Sequence, residues 1–297
     1  MAECAPQRNG KSAVRAEKDA LLAMVGIRAC WQVSINGWRN MKIKVTVCEL
    51  RNEPKDFAHD WERLTAHVKE EASQVVLLPE MPFSSWFAQS QRFDASVWQK
   101  SVFAHDDWQK RLHELAPATI LSTRPVNDGH RRFNEGFVWE QGAGYRAAHR
   151  KFYLPDEDGC WEASWYHRGD GDFTPVESGS LRTGFLICTE LWFMEQAWLY
   201  GKAGSHVIVT PRATERASLD KWLVGGRAAA VVAGAFSLSS NRANSEGKSP
   251  DFGGQGWIIG PDGQVLGLTS RQQPFVTREI DLSEAEQAKK TYPRYIS

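Results

Sequence analysis

Directly after Met41, the segment Lys42-Ile43-Lys44-Val45-Thr46-Val47 alternates polar and apolar side chains, the period of two that predicts a strand. Phe57, Trp61, Leu64 and Val68 then recur at the spacing of one buried helix face, and the apolar run 75–78 has strand length. Trp108, Leu112 and Leu115 repeat the helical interval ahead of a strand at 119–122. Strands alternating with helices in this way predict an α/β sheet whose strands are mostly buried. Residues 133–153 read as two strands joined by the Gly142-Ala143-Gly144 turn, and 154–180 as loop-rich. A buried strand at 183–187 ends at Cys188. Helix 193–203, strand 206–209, helix 219–233 and strand 236–240 then repeat the earlier rhythm. A hairpin around Pro261-Asp262-Gly263 and a strand at 276–280 complete the pattern. Residues 1–40 lack periodicity and read as an N-terminal extension or leader, and 41–297 as one domain.

Composition narrows the classes. The 36 basic and 36 acidic side chains cancel, which argues against nucleic acid or an anionic membrane as the main partner. The longest apolar stretch, 228–236, is nine residues, well short of the ~20 that cross a bilayer. No apolar core of a secretory leader opens the chain, and the five cysteines are odd in number without a C-x-x-C pair. Together these predict reduced thiols in a cytoplasmic protein. Tryptophan is overrepresented, with 13 residues against 5 methionines, which predicts aromatic-lined surfaces or pockets.

Some motif matches carry nothing. Gly247-Lys248-Ser249 lacks the glycine that a phosphate loop needs five positions earlier, where Arg242 stands. Gly142-x-Gly144-x-x-Ala147 is followed by a strand pattern and Pro155, not by the helix that would hold a pyrophosphate. The eight histidines show no H-x-H or H-E-x-x-H pair, so no metal site is predicted. Three strand-end positions remain, where α/β sheets present ligands and catalytic groups. Glu80 follows Val75-Val76-Leu77-Leu78-Pro79, Lys151 follows Ala148-His149-Arg150, and Cys188 follows Thr183-Gly184-Phe185-Leu186-Ile187. Singly, each has an ordinary structural explanation: a turn acid, a solvated ion pair, a small core residue. Together they form a set suited to covalent catalysis. A Cys–His hydrolase with His149 or His206 as base is the alternative within the same chemistry.

With its flanking residues, this set resembles the nitrilase superfamily of carbon–nitrogen hydrolases. The resemblance rests on Leu77-Leu78-Pro79-Glu80, Arg150-Lys151-Phe152-Tyr153-Leu154-Pro155 and Leu186-Ile187-Cys188-Thr189-Glu190-Leu191-Trp192-Phe193. Phe133-Asn134-Glu135-Gly136, the segment 204–211, Asn241-Arg242 and Phe252-Gly253-Gly254 support it, so it extends from about Met41 to the C-terminus. It implies a four-layer αββα sandwich and a catalytic triad of Glu80, Lys151 and Cys188, with Glu162 as a second glutamate. Cys160, in a loop two residues from Glu162, is read as non-catalytic. The chain departs from the family pattern at Thr189, where an aromatic is frequent, at Met194, where proline is common, and at Gln255, where a small residue is common.

The resemblance also implies a mechanism that needs no cofactor. Glu80 takes the thiol proton, Lys151 and the Thr189 backbone N–H face the oxyanion, and Glu162 orients the substrate nitrogen. A thioester forms with loss of ammonia or an amine, and water releases the acid. Trp86 and Trp192 are the predicted pocket walls, and a homodimer or higher homo-oligomer is implied. The eleven residues from Lys151 to Glu162 resemble the spacing of ureido-acid and carbamoyl-amine hydrolases. The substrate is therefore expected to be a small-molecule amide or N-carbamoyl compound, with a nitrile as the alternative. A catalytically idle binding subunit is the remaining reading, and the intact set of four argues against it.

Overall fold

The structure, a computed structural model, describes residues 41–244 and 247–296; the expectation for 1–40 lies outside the described residues. Its first half runs β1 (Lys42–Arg51), α1 (Pro54–Glu71), β2 (Val75–Leu77), α2 (Ala95–Gln109), β3 (Thr119–Asp128), β4 (Arg131–Glu140), β5 (Gly144–Arg150) and the single-turn α3 (Glu162–Trp165). The second half runs β6 (Val176–Ser178), β7 (Leu181–Phe185), α4 (Met194–Lys202), β8 (Val207–Arg212), α5 (Leu219–Ala233) and β9 (Phe236–Ala243). The hairpin β10 (Trp257–Ile259) and β11 (Val265–Leu268), β12 (Phe275–Asp281) and α6 (Leu282–Ala288) follow.

The strands form two sheets that share β1. In the first, ordered β5-β4-β3-β2-β1-β12, β1, β2 and β3 are parallel and the outer pairings are antiparallel. In the second, ordered β6-β7-β8-β9-β10-β11, β7, β8 and β9 are parallel. Strand β1 pairs with β12 over residues 42–48, then leaves to pair with β9 through Glu49, Leu50 and Arg51. One strand thus fixes the relation of the two sheets, and the inner faces meet closely. A Cβ on Gly136 of β4 would lie 2.9 Å from the Phe185 ring of β7, so glycine is required there.

Helices cover both outer faces. On α1, Phe57, Trp61, Leu64 and Val68 pack with Val76, Leu78, Ile120 and Phe137 of the first sheet. Burying each such side chain contributes about 1.5–3 kcal/mol. Pro54 opens α1 with its φ already helical, and Ala72 closes it in the left-handed region at φ 52°. On the other face, Ala197 and Tyr200 of α4 and Ala229 and Ala230 of α5 join Ile208 and Trp257 in a second core. The architecture is the four-layer αββα sandwich expected from the sequence.

One local expectation fails. The helix read through Trp108, Leu112 and Leu115 lies earlier, as α2, with Leu112–Leu115 a separate 3₁₀ turn. Asp94 sets the start, accepting from the N–H groups of Ser96 (2.8 Å) and Val97 (3.2 Å). The buried positions of α2 are Trp98, Ser101, Val102 and His105, and the two polar ones mask the apolar period. The loop-rich 154–180 segment holds two short elements, α3 and β6, and α6, capped by Asp281, has too few apolar residues to be seen in the sequence. Among the described residues no helix is long and apolar enough to cross a membrane.

Candidate active site

The three strand-end residues sit on corners held by their own clamps. At the first corner, Met81 has φ 42°, and Arg242 from the end of β9 secures the turn. Arg242 donates through Nε to the Glu80 carbonyl (3.0 Å), through Nη1 to the Ser84 carbonyl (2.9 Å), and through Nη2 to the Met81 carbonyl. At the second corner Cys188 itself is left-handed, φ 49°, and starts the 3₁₀ turn Cys188–Trp192. A non-glycine residue in this region costs on the order of 1–3 kcal/mol and persists only where its surroundings impose it. Glu190 is what imposes it: its carboxylate accepts from the N–H of Ile187 (2.8 Å) and of Phe152 (2.7 Å). Lys151 is tied to β4 through its N–H, which donates to the Asn134 carbonyl (2.9 Å).

These corners converge. Lys151 Nζ donates to Glu80 Oε1 (2.9 Å) and to Glu162 Oε1 (2.9 Å), and lies 2.6 Å from Glu162 Oε2. All three side chains are at most 1 % exposed, so the cluster is a buried carboxylate–ammonium–carboxylate array. Asn134 Nδ2 adds a second donor to Glu80 Oε1 (2.8 Å). Glu80 Oε2 is buried and has no hydrogen-bond partner among the described residues. An ammonium has three N–H donors. Two are directed at the glutamates, which leaves one for a further acceptor.

The electrostatics define the resting protonation. Burial opposes the Lys151 ammonium, but Glu162, Glu80 and Cys188 outweigh it and hold its pKa well above the usual lysine value. Burial pushes Glu162 up to about 7, the net of a downward pull from Lys151 and an upward push from Glu80. Burial also drives the Cys188 thiol far above its ordinary value; Glu80 adds to this, and Lys151 and the Ala213 backbone N–H oppose it. Burial thus favours the neutral thiol over the thiolate at Cys188.

Neither histidine of the Cys–His alternative is available. His149 donates through Nε2 to Glu190 (2.9 Å) and through Nδ1 to the Asp172 carbonyl (2.9 Å). Nδ1 of His206 accepts from the Arg182 N–H (3.1 Å), and its Nε2 lies 3.1 Å from Glu286. Both partners of His149 are acceptors, which makes the ring an imidazolium; burial lowers its pKa, Glu190 more than compensates, and the net shift is upward. The His149–Glu190 pair thereby locks the lysine strand to the cysteine turn. Glu190→Gln is expected to cost about 3–5 kcal/mol, as for breaking a buried ion pair, and to lower kcat/KM by about 10²-fold through displacement of Cys188. A raised folded pKa contributes stability below the unfolded value of about 6.5 and loses it as pH rises through the folded value. The Tm gap between wild type and variant should therefore be widest near pH 6 and narrow on the alkaline side.

A cavity of about 360 Å³ leads from the surface to Cys188. Trp86, Thr189 and Trp192, singled out from sequence proximity, all line it. So do Trp222 and Ala213, which the sequence reading missed because they lie 25 or more residues from any of the four candidate catalytic residues, and Phe252, seen there only within a supporting motif. Cys160 also lines it, held in a turn by mutual backbone hydrogen bonds with Glu157 (2.9 and 3.2 Å). Asn134 and Arg242 were visible only as parts of supporting motifs, and their contacts with Glu80 emerge from pairings across the fold. Among the described residues no group of three His, Cys, Asp or Glu side chains is placed to hold a metal ion.

Two sheets between helix layers, with a buried acid–amine–acid array behind a strained cysteine, place the protein in a known class. The chain belongs to the carbon–nitrogen hydrolase family, whose profile matches residues 44–290. It is 25 % identical over 272 residues to the chloroplastic omega-amidase of Arabidopsis thaliana, covering 85 % of this chain and 71 % of that protein. It is 23 % identical over 265 residues to the N-carbamoylputrescine amidase of Oryza sativa subsp. japonica, covering 82 % and 85 %. Among solved structures, a carbon–nitrogen hydrolase from Helicobacter pylori G27 superposes with a TM-score of 0.75 at 20 % identity, covering 85 % of this chain and 94 % of that one.

Proposed function

We propose that the protein hydrolyses the C–N bond of a small amide or N-carbamoyl compound through a thioester on Cys188, with Glu80, Lys151 and Glu162 as its partners. The observation that carries this reading is the pairing of an unengaged Glu80 Oε2 with a Lys151 ammonium that keeps one N–H free, both within electrostatic reach of the Cys188 thiol. Glu80 takes the thiol proton as sulfur bonds to the carbonyl carbon. The developing oxyanion faces Lys151 and the Thr189 N–H, which has no partner within its own 3₁₀ turn. Glu80 then delivers the proton to the departing nitrogen, the C–N bond breaks, and ammonia or an amine leaves. Water, deprotonated by the same carboxylate, cleaves the thioester and restores the thiol.

The names of the relatives support amide and carbamoyl substrates, and in this reading the Glu162 carboxylate accepts from a planar NH₂ group. A linear nitrile offers no such donor, so the second carboxylate would gain less from binding it. The expected result is a kcat/KM at least tenfold higher for an amide than for the nitrile with the same side chain. The reverse order, about 1.4 kcal/mol the other way, would assign the protein to nitrile hydrolysis. A cytoplasmic homodimer or higher homo-oligomer belongs to the same reading. Trp198 and Leu199 of α4 and Val224 of α5, between 43 % and 65 % exposed, support the oligomer.

A further inference from the structure

The cavity over Cys188 has a one-sided charge pattern that the chemistry above does not use. Its inner walls include the rings of Trp86, Trp222 and Phe252. Its mouth carries Glu157 and Asp158 from one segment and Glu215 from another, all exposed, and no Lys, Arg or His side chain lines it among the described residues. From this lining we infer that the substrate bears a cationic group, an ammonium or guanidinium, on the end distal to the scissile bond. The inference rests on the amide-hydrolase reading of the same site and adds the substrate class.

Three neighbouring arginines are committed elsewhere. Arg216, next to Glu215, lies 3.1 Å from Asp251 and donates to the carbonyls of Asn244 and Phe252. Arg212, fully buried, is occupied by Ser239, Thr214 and the Gln255 carbonyl, and Arg242 by the Glu80 corner. These two guanidiniums also lie near the cavity rings: Arg242 is 5.4 Å from the Trp86 ring centroid and Arg212 is 5.7 Å from that of Trp222. Rings already facing a cation attract a second one less, so the carboxylates at the mouth set the sign of the preference and the rings supply contact area. A cleft lined by one sign of charge focuses its field inward, which favours an ammonium and repels a carboxylate of equal length.

The test measures binding separately from turnover. Cys188→Ala is titrated by calorimetry with 6-aminohexanamide, heptanamide and 6-carboxyhexanamide, which differ only in the distal group. The ammonium compound should bind about tenfold tighter than the neutral one, and the carboxylate compound about tenfold weaker, with the spread shrinking at high salt. Adding Glu157→Gln, Asp158→Asn and Glu215→Gln, all at exposed positions, should bring the three affinities together and leave the neutral amide unchanged. Equal or tighter binding of the carboxylate compound, an ammonium preference that survives the three substitutions, or no binding of any compound at millimolar concentration overturns the inference. Failure of the underlying reading looks different: wild-type protein would release no ammonia from any of the three, whatever their order of binding.

Discussion

Cys188→Ala is expected to abolish turnover, by on the order of 10⁶-fold, the scale seen when a nucleophile acting as a unit with its base is removed. The variant should remain folded. Alanine adopts the left-handed corner at φ 49° about as readily as cysteine, and Glu190 still holds the turn through the Ile187 and Phe152 N–H groups. Losing one buried sulfur should cost only about 1 kcal/mol. The chemical signature is an acyl adduct of one group per chain when wild-type protein meets a slow amide, absent from the variant and mapped by peptide mass to Cys188. Cys160 provides the internal control, because it lines the same cavity but sits in a loop turn closed by Glu157 and not at a strand end. An adduct on Cys160 would reject the assignment.

Lys151→Met should produce the second largest effect, on rate and stability together. Loss of one oxyanion donor alone lowers kcat by about 10²–10³-fold. Methionine preserves much of the volume but leaves Glu80 and Glu162, at most 1 % exposed, without their cation. Breaking a buried pair in this way costs about 3–5 kcal/mol. The sign with pH follows from the groups left behind. Glu162 already sits near 7 with Lys151 present, and removing the cation that pulls it down moves it further up. A carboxyl with a raised folded pKa favours the folded state while protonated and loses that contribution as pH rises through the folded value. The destabilisation should therefore be mildest in acid and grow towards alkaline pH. Thermal melts from pH 5 to pH 9 at constant ionic strength check this, and a loss that shrinks as pH rises would contradict the buried array.

The distinction between what each level decides is visible in particular residues. Period-two and helical patterns located β1, α1, β2, α4, α5 and the β10–β11 hairpin, because each of these buries one face and the face is written in consecutive residues. Where the buried face was itself polar, as at Ser101 and His105 of α2, the signal vanished and the helix was misplaced. The pattern also stopped β1 short, since its last residues leave one sheet for the other and no local periodicity encodes a change of partner.

For the site, the sequence by itself singled out the strand-end acid and thiol, because Glu80 and Cys188 each follow an apolar run that must be buried, whereas Lys151, after Ala148-His149-Arg150, stood out through its flanking motif. That the amine lies between two carboxylates, that one oxygen of Glu80 stays unengaged, and that His149 holds Glu190 and not Cys188 were decided only by the tertiary structure. The physical reason is separation along the chain. Glu80 and Lys151 are 71 residues apart, and Arg242 reaches the Glu80 carbonyl across 162. Such contacts depend on how two sheets pack and on which glycine lets them approach. The charge at the cavity mouth likewise has no signature in any one segment, since Glu157, Asp158 and Glu215 become neighbours of one cavity only when loops from both halves of the sandwich meet over Cys188.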